Sequence, residues 1–146
     1  MPSPYFNNYG IVTVTDATVT ITDDAHVGQR IVLNRAAGVT ATLPAAIGSG
    51  NRYEFIGAVD ATGDQIIQVV GDDTMAGVAY LGNDSAGASC FYTAATSDTI
   101  TLDGSTKGGL KGWRVICDDI AADTWAVMVF SEASGTEATP FSAAVS

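Results

Sequence analysis

Apolar and polar residues alternate with a period of two through most of this chain. In no window of eleven or more residues do apolar positions recur at i, i+3, i+4 and i+7 without Gly, Pro or Asp interrupting them. An amphipathic helix needs that longer period, so no helix of more than about two turns is expected and the chain reads as all-β. Seventeen threonines, many alternating with Val, Ile or Leu, suit pleated half-buried strands. Gly with Asp or Asn returns every eight to twelve residues as turn punctuation. That rhythm predicts a β-sandwich or jelly roll of about ten strands, and 146 residues make one such domain.

Three segments follow from the pattern. Residues 1–10 carry Pro2, Pro4, Tyr5, Phe6 and Tyr9 with no period and read as an extended arm. Residues 11–130 are the β domain, and 131–146, polar and small until Pro140-Phe141, read as a C-terminal tail with a flexible linker at 131–139. Between Ile11 and Thr22 the apolar phase slips from Val12 and Val14 to Ala17, Val19 and Ile21. A one-residue slip moves every later side chain to the other face, so a bulge or turn near Asp16 gives one long bent strand or two short ones. Arg30 to Asn34 and Val39 to Leu43, around Ala36-Ala37-Gly38, read as a hairpin. Tyr53 to Val59 and Gln65 to Val70, around Asp60-Ala61-Thr62-Gly63, read as a second. Later strands are expected at 78–81, 88–93, 99–102, 113–117 and 124–130, with Asp103 to Gly112 as the longest exposed connection and no internal repeat of useful period. Trp113, Val115 and Cys117 share one parity opposite Arg114, which places them in the core with Val39, Ala41, Leu43 and Phe55.

Charge narrows the function. Six Lys and Arg against sixteen Asp and Glu leave a net charge of −10, which excludes a surface that grips nucleic acid by counterion release. Charged residues are only 15% of the chain, thin cover for a freely soluble domain, so part of the surface is expected to be covered by something else. The longest apolar run, Trp125 to Phe130, is far short of the ~20 residues of a membrane helix, so no membrane is a partner. The N-terminus has no basic and apolar leader pattern, and synthesis in the cytoplasm is expected, where Cys90 and Cys117 read as buried free thiols within strands.

Catalytic chemistry finds little footing. His26, the single histidine, lies beside Asp23 and Asp24 in an expected turn without a Gly-x-Ser-x-Gly context, and reads as a solvated turn residue. The doublets Asp23-Asp24, Asp72-Asp73 and Asp118-Asp119 lack the spacing of a calcium loop and read as turn-shaping residues, with Asp72 and Asp73 the first suspects for a cation. Three glutamates, Glu54, Glu132 and Glu137, offer no carboxylate pair for glycoside hydrolysis, and the glycines at 108–112 lack the strand-to-helix frame of a phosphate loop. The expectation is therefore no enzyme, no cofactor and no metal. The segment Trp125 to Phe130 is apolar on both parities, so both faces want burial. Either a loop or tail covers its second face, or Trp125, Val127, Met128 and Phe130 lie at a subunit interface.

Three stretches carry a resemblance. Arg30 to Phe55 includes Leu33-Asn34-Arg35-Ala36-Ala37-Gly38 and Thr40-Ala41-Thr42-Leu43-Pro44. Thr99-Ile100-Thr101-Leu102-Asp103-Gly104 runs on to Gly112, and Ala138-Thr139-Pro140-Phe141-Ser142-Ala143 closes the chain. Together, about a third of the sequence resembles small structural proteins of tailed-bacteriophage particles and is most similar to head decoration, or cement, proteins. The resemblance implies a homotrimer on three-fold and quasi-three-fold positions of the expanded head, bound to the major capsid protein on the outer capsid surface and stabilising the shell. It transfers no catalytic residue. The arm supplies candidate capsid contacts at Pro2, Pro4, Tyr5, Phe6 and Tyr9, because the prolines hold it extended and the aromatics give contact area at small entropy cost. A tail-fibre, knob or receptor- or carbohydrate-binding module of the virion is the alternative, and exposed aromatic platforms would favour it.

Overall fold

The computed structural model describes residues 10–145. In chain order its elements are β1 (Ile11–Val14), β2 (Thr18–Thr20), α1 (Asp23–His26), β3 (Arg30–Leu33), β4 (Thr40–Thr42), β5 (Arg52–Gly57) and β6 (Gln65–Gln68). The second half adds β7 (Thr74–Gly82), β8 (Ala88–Tyr92), β9 (Thr99–Leu102), β10 (Arg114–Ala121), β11 (Thr124–Glu132) and β12 (Phe141–Ser142). A seven-stranded sheet runs β1-β3-β5-β10-β11-β7-β8 and a five-stranded sheet runs β12-β9-β6-β4-β2. The chain is an all-β sandwich, with twelve strands among the described residues against the ten expected.

The first six strands alternate between the sheets. β1, β3 and β5 stack in parallel in one sheet, while β2, β4 and β6 stack in parallel in the other. The chain thus winds three times around the core as a short parallel coil. The two expected hairpins are corrected by this pairing, because β3 and β4 lie in different sheets, as do β5 and β6. Their connections are corners, and consecutive corners are tied together. The N–H groups of Thr62 and Gly63 donate to Ala36 O, Gln65 Nε2 donates to Arg35 O at 2.7 Å, and Val39 N donates to Gln65 Oε1 at 3.1 Å. Gly38, at φ 107°, lets the Asp64 carbonyl pass where a side chain would stand. The turns are unequal in length, with Ile11 opposite Arg30 and Arg30 opposite Glu54, which is why no fixed period shows in the sequence. The phase slip near Asp16 is the passage from one sheet to the other, so the choice between one bent strand and two short ones falls to two.

The other half closes the coil. β10 and β9 run antiparallel to β5 and β6, and β11 and β7 extend the larger sheet. All seven residues expected in the core are buried, together with Trp125, Val127, Val129, Ile31, Leu33, Ile67 and Ile100 from both sheets. The ring centroids of Tyr53 and Trp125 lie 5.8 Å apart at 59°, at the end of this layer next to the β10–β11 turn. Trp113 lies against Gly57, where an added Cβ would strike the indole. The stretch expected as tail is instead built into the sandwich: Ser131 and Glu132 extend β11 in the larger sheet, Ala133 and Pro140 are buried, and Phe141 pairs with Ile100 in the smaller sheet. The connection at 103–112 is also less exposed than expected, since Gly108 and Gly109 are buried, with Gly109 N donating to Ser131 Oγ at 2.8 Å.

Buried carboxylates anchor the longer connections. Asp119, 2% exposed at the end of β10, accepts from the N–H groups of Ile47, Gly48 and Ser49 and from Ser49 Oγ, at 2.6 to 3.2 Å. Asp73 accepts from Ala46 N at 2.7 Å, so two carboxylates hold the loop that carries the chain from β4 to β5. Asp98 likewise accepts from Ala144 N and Val145 N and holds the segment that follows β12. Burial pushes the Asp119 carboxyl up, but the hydrogen bonds from Ser49, Gly48 and Ile47 outweigh it and hold the group below its ordinary value.

Two stability predictions follow from these contacts. Trp113→Ala should cost about 3 to 5 kcal/mol in chemical denaturation as a large-to-small core change, and an unmoved midpoint would contradict its place in the core. Because the folded-state pKa of Asp119 is depressed, its contribution is full above the unfolded value of about 3.9 and is lost as pH falls through the folded value. Asp119→Asn should therefore be less stable than the parent by about 2 kcal/mol near neutral pH, with the gap narrowing in urea titrations carried below about pH 3. A gap independent of pH would contradict the anionic clamp.

Candidate interaction surface

Strand alternation decides what the larger sheet shows to solvent. On β11, Trp125, Val127 and Val129 point inward and are at most 2% exposed, while Met128 and Phe130 point outward at 42% and 39%. The four residues expected at a subunit contact therefore divide. Trp125 and Val127 belong to the chain's own core, and any contact made by this strand falls to Met128 and Phe130. Of the two ways left open for covering its second face, a loop or tail of the same chain is absent among the described residues.

Register places other apolar residues beside them. One row across the outer face is Ile116, Met128, Val78 and Tyr92; the next is Arg114, Phe130, Tyr80 and Cys90. Tyr80 and Tyr92 are 43% and 74% exposed, and the rings of Tyr80 and Phe130 stack at 14° with centroids 5.5 Å apart. Tyr80 and Tyr92 were missed as contact candidates from the sequence. A signal was present in Val78 to Leu81, apolar on both parities like Trp125 to Phe130, but the pairing that sets the two runs side by side is a tertiary fact.

Beyond the apolar rows lies a ladder of charges. Glu54 on β5 pairs with Arg30 on β3 at 3.2 Å and with Arg114 on β10 at 2.7 Å, while Arg52 and Asp118 form a two-pronged pair at 2.7 and 2.9 Å. With Glu132 at the end of β11, this face holds three of the six cations and three of the sixteen carboxylates. It is neutral. The remaining surfaces and the interior hold three cations and thirteen carboxylates, so the whole net charge of −10 lies off this face.

The other candidates take structural roles. His26 ends the short helix α1, is 6% exposed instead of solvated, and its Nδ1 lies 3.0 Å from Thr22 N, the residue that caps the helix. Asp23 accepts the Tyr53 hydroxyl; burial first, then that hydrogen bond, pushes the phenol pKa up. Asp72 is exposed, Asp73 holds Ala46 N, and no three His, Cys, Asp or Glu side chains gather as a metal site among the described residues. Cys117 is buried, and burial pushes its thiol up; Cys90 is exposed on the outer face, which corrects the expectation of two buried thiols. No helix among the described residues is long and apolar enough to cross a membrane. The arm candidates Pro2, Pro4, Tyr5, Phe6 and Tyr9 lie outside the described residues. The chain matches no family model, no curated protein and no solved structure.

Proposed function

We propose that this chain is a decoration protein of a tailed-phage head. It binds the outside of the expanded shell as a homotrimer, has the major capsid protein as its partner, and acts by stiffening the shell and not by catalysis. The observation that supports this reading best is the apolar face of the seven-stranded sheet, uncovered among the described residues and neutral on a chain of net charge −10. Contiguous exposed apolar surface of this kind marks a contact site. The resemblance at 30–55, 99–112 and 138–143 supplies the kind of assembly. A body closed by one inter-sheet core and pinned by buried carboxylates suits mechanical reinforcement, since close-packed interiors transmit load with little compression. The arm at residues 1–10 is the proposed capsid contact, and the protein is made in the host cytoplasm before joining the virion.

A second reading has its own observation. Tyr80, Tyr92 and Phe130 form an exposed aromatic cluster, and sugar rings stack on aromatic faces, which favours a receptor- or carbohydrate-binding module of the tail. Copy number separates the two. A decoration protein should be present in the hundreds per particle, on the order of the major capsid protein itself, and a tail module in about a dozen, as the symmetries of head and tail require. Quantitative mass spectrometry of purified particles should find the high number. Deleting residues 1–9 should leave a folded protein that no longer decorates shells, and unchanged decoration would remove the arm from the mechanism.

A further inference from the structure

We infer that the outer face of the seven-stranded sheet is buried against the same face of other copies of this chain. The inference rests on the reading of the chain as an assembling virion protein and says which surface the copies share. Its warrant is the distribution of apolar surface and charge. The outer face of the smaller sheet is uncharged but is lined by Thr18, Thr20, Thr40, Thr42, Gln68 and Thr101 and offers no comparable apolar gain. Two copies that met through the loops and edges would bring together the surfaces that hold the excess carboxylates, and like charges would oppose them. Setting this face on an acidic surface of a neighbour would instead strip water from carboxylates against Phe130 and Tyr80, where the one cation of those rows, Arg114, is already engaged by Glu54. Like face on like face avoids both costs. Apolar rows meet apolar rows, and the ladder of Arg30, Arg52 and Arg114 with Glu54 and Asp118 brings only one net positive charge, which Glu132 balances across the face.

The size is adequate. Seven strands at ~4.8 Å spacing and ~17 Å length present roughly 600 Å² in projection, comparable with the ~800 Å² that each partner gives to a standard interface. Two copies stacked face to face bury it whole; in a homotrimer the three faces turn toward the common axis and each meets its neighbours over part of its width.

Cys90 is a reporter already in place, on the outer face beside Tyr80, while Cys117 stays in the core. The experiment measures the labelling rate of Cys90 by a thiol reagent in the full chain from about 1 µM to about 1 mM, with sedimentation followed in parallel. The expected result is an oligomer in which Cys90 reacts about tenfold more slowly or less. Phe130→Asp, which repeats a charge in every copy at the contact, should be monomeric and fast-labelling with an unchanged circular dichroism spectrum. Should that variant fail to fold, Met128→Asp, at a position 42% exposed on the same face, serves the same purpose. An oligomer whose Cys90 stays reactive overturns the inference, because the copies then meet elsewhere. So does a chain that is monomeric throughout, or a monomer that binds arrayed glycans and loses them in Phe130→Asp. The two readings fail separately. High copy number in particles with a freely reactive Cys90 leaves the decoration reading standing and ends this one, whereas a protected oligomer absent from particles does the reverse.

Discussion

The apolar contact between the inner faces of the two sheets holds every other feature in place. The chain passes from one sheet to the other at each corner of its first half, so neither sheet is complete until the other has formed. Ile31, Leu33 and Phe55 from the larger sheet meet Ala41, Ile67 and Ile100 from the smaller in one cluster, and Tyr53 packs on Trp125 within it. Full burial of a side chain of this size is worth about 1.5 to 3 kcal/mol, far more than any exposed ion pair on the surface. The corners are then secured by backbone bonds and by Asp119 and Asp73, which accept from the loop between β4 and β5.

Strand β11 links this core to the outer surface. Its odd-numbered residues close the inter-sheet layer, and its even-numbered residues, Met128 and Phe130, add to the apolar rows outside. Since a strand cannot turn one face without turning the other, the inward packing of Trp125 also sets the outward direction of Phe130. The charged ladder on β3, β5 and β10 is held the same way, with Glu54 between Arg30 and Arg114 because Tyr53 and Phe55 are committed to the interior. A rigid interior thus presents a rigid surface, which is what an assembling protein needs to limit the entropy lost on contact.

Much of this was legible in the sequence because a period of two is a local signal. The strands at 78–81, 88–93, 99–102 and 124–130 and the inward set of Trp113, Val115 and Cys117 could be read from parity alone. Pairing could not. Ala36-Ala37-Gly38 and Asp60-Ala61-Thr62-Gly63 have the composition of hairpin turns, and the same residues serve equally well at a corner between sheets. The difference lies in what approaches from outside, such as the Asp64 carbonyl beside Gly38, and that is decided by a strand some 25 residues away. The slip near Asp16 was the one local trace of a crossing. In the sequence Cys90 reads as buried, and Tyr92 does not stand out, for a related reason, since a strand at the edge of a sheet carries the same alternation as one at its centre while its side chains meet far fewer neighbours.

Met128 offers the most direct test that β11 serves an internal layer on one side and an interface on the other, because Met75 in the core provides an internal control. With methyl-labelled methionine and a soluble paramagnetic agent, the Met75 signal should stay sharp at every concentration. The Met128 signal should broaden strongly in dilute protein and recover as the chains associate. Continued broadening of Met128 in the fully associated protein would show that its face remains in water and would contradict the account.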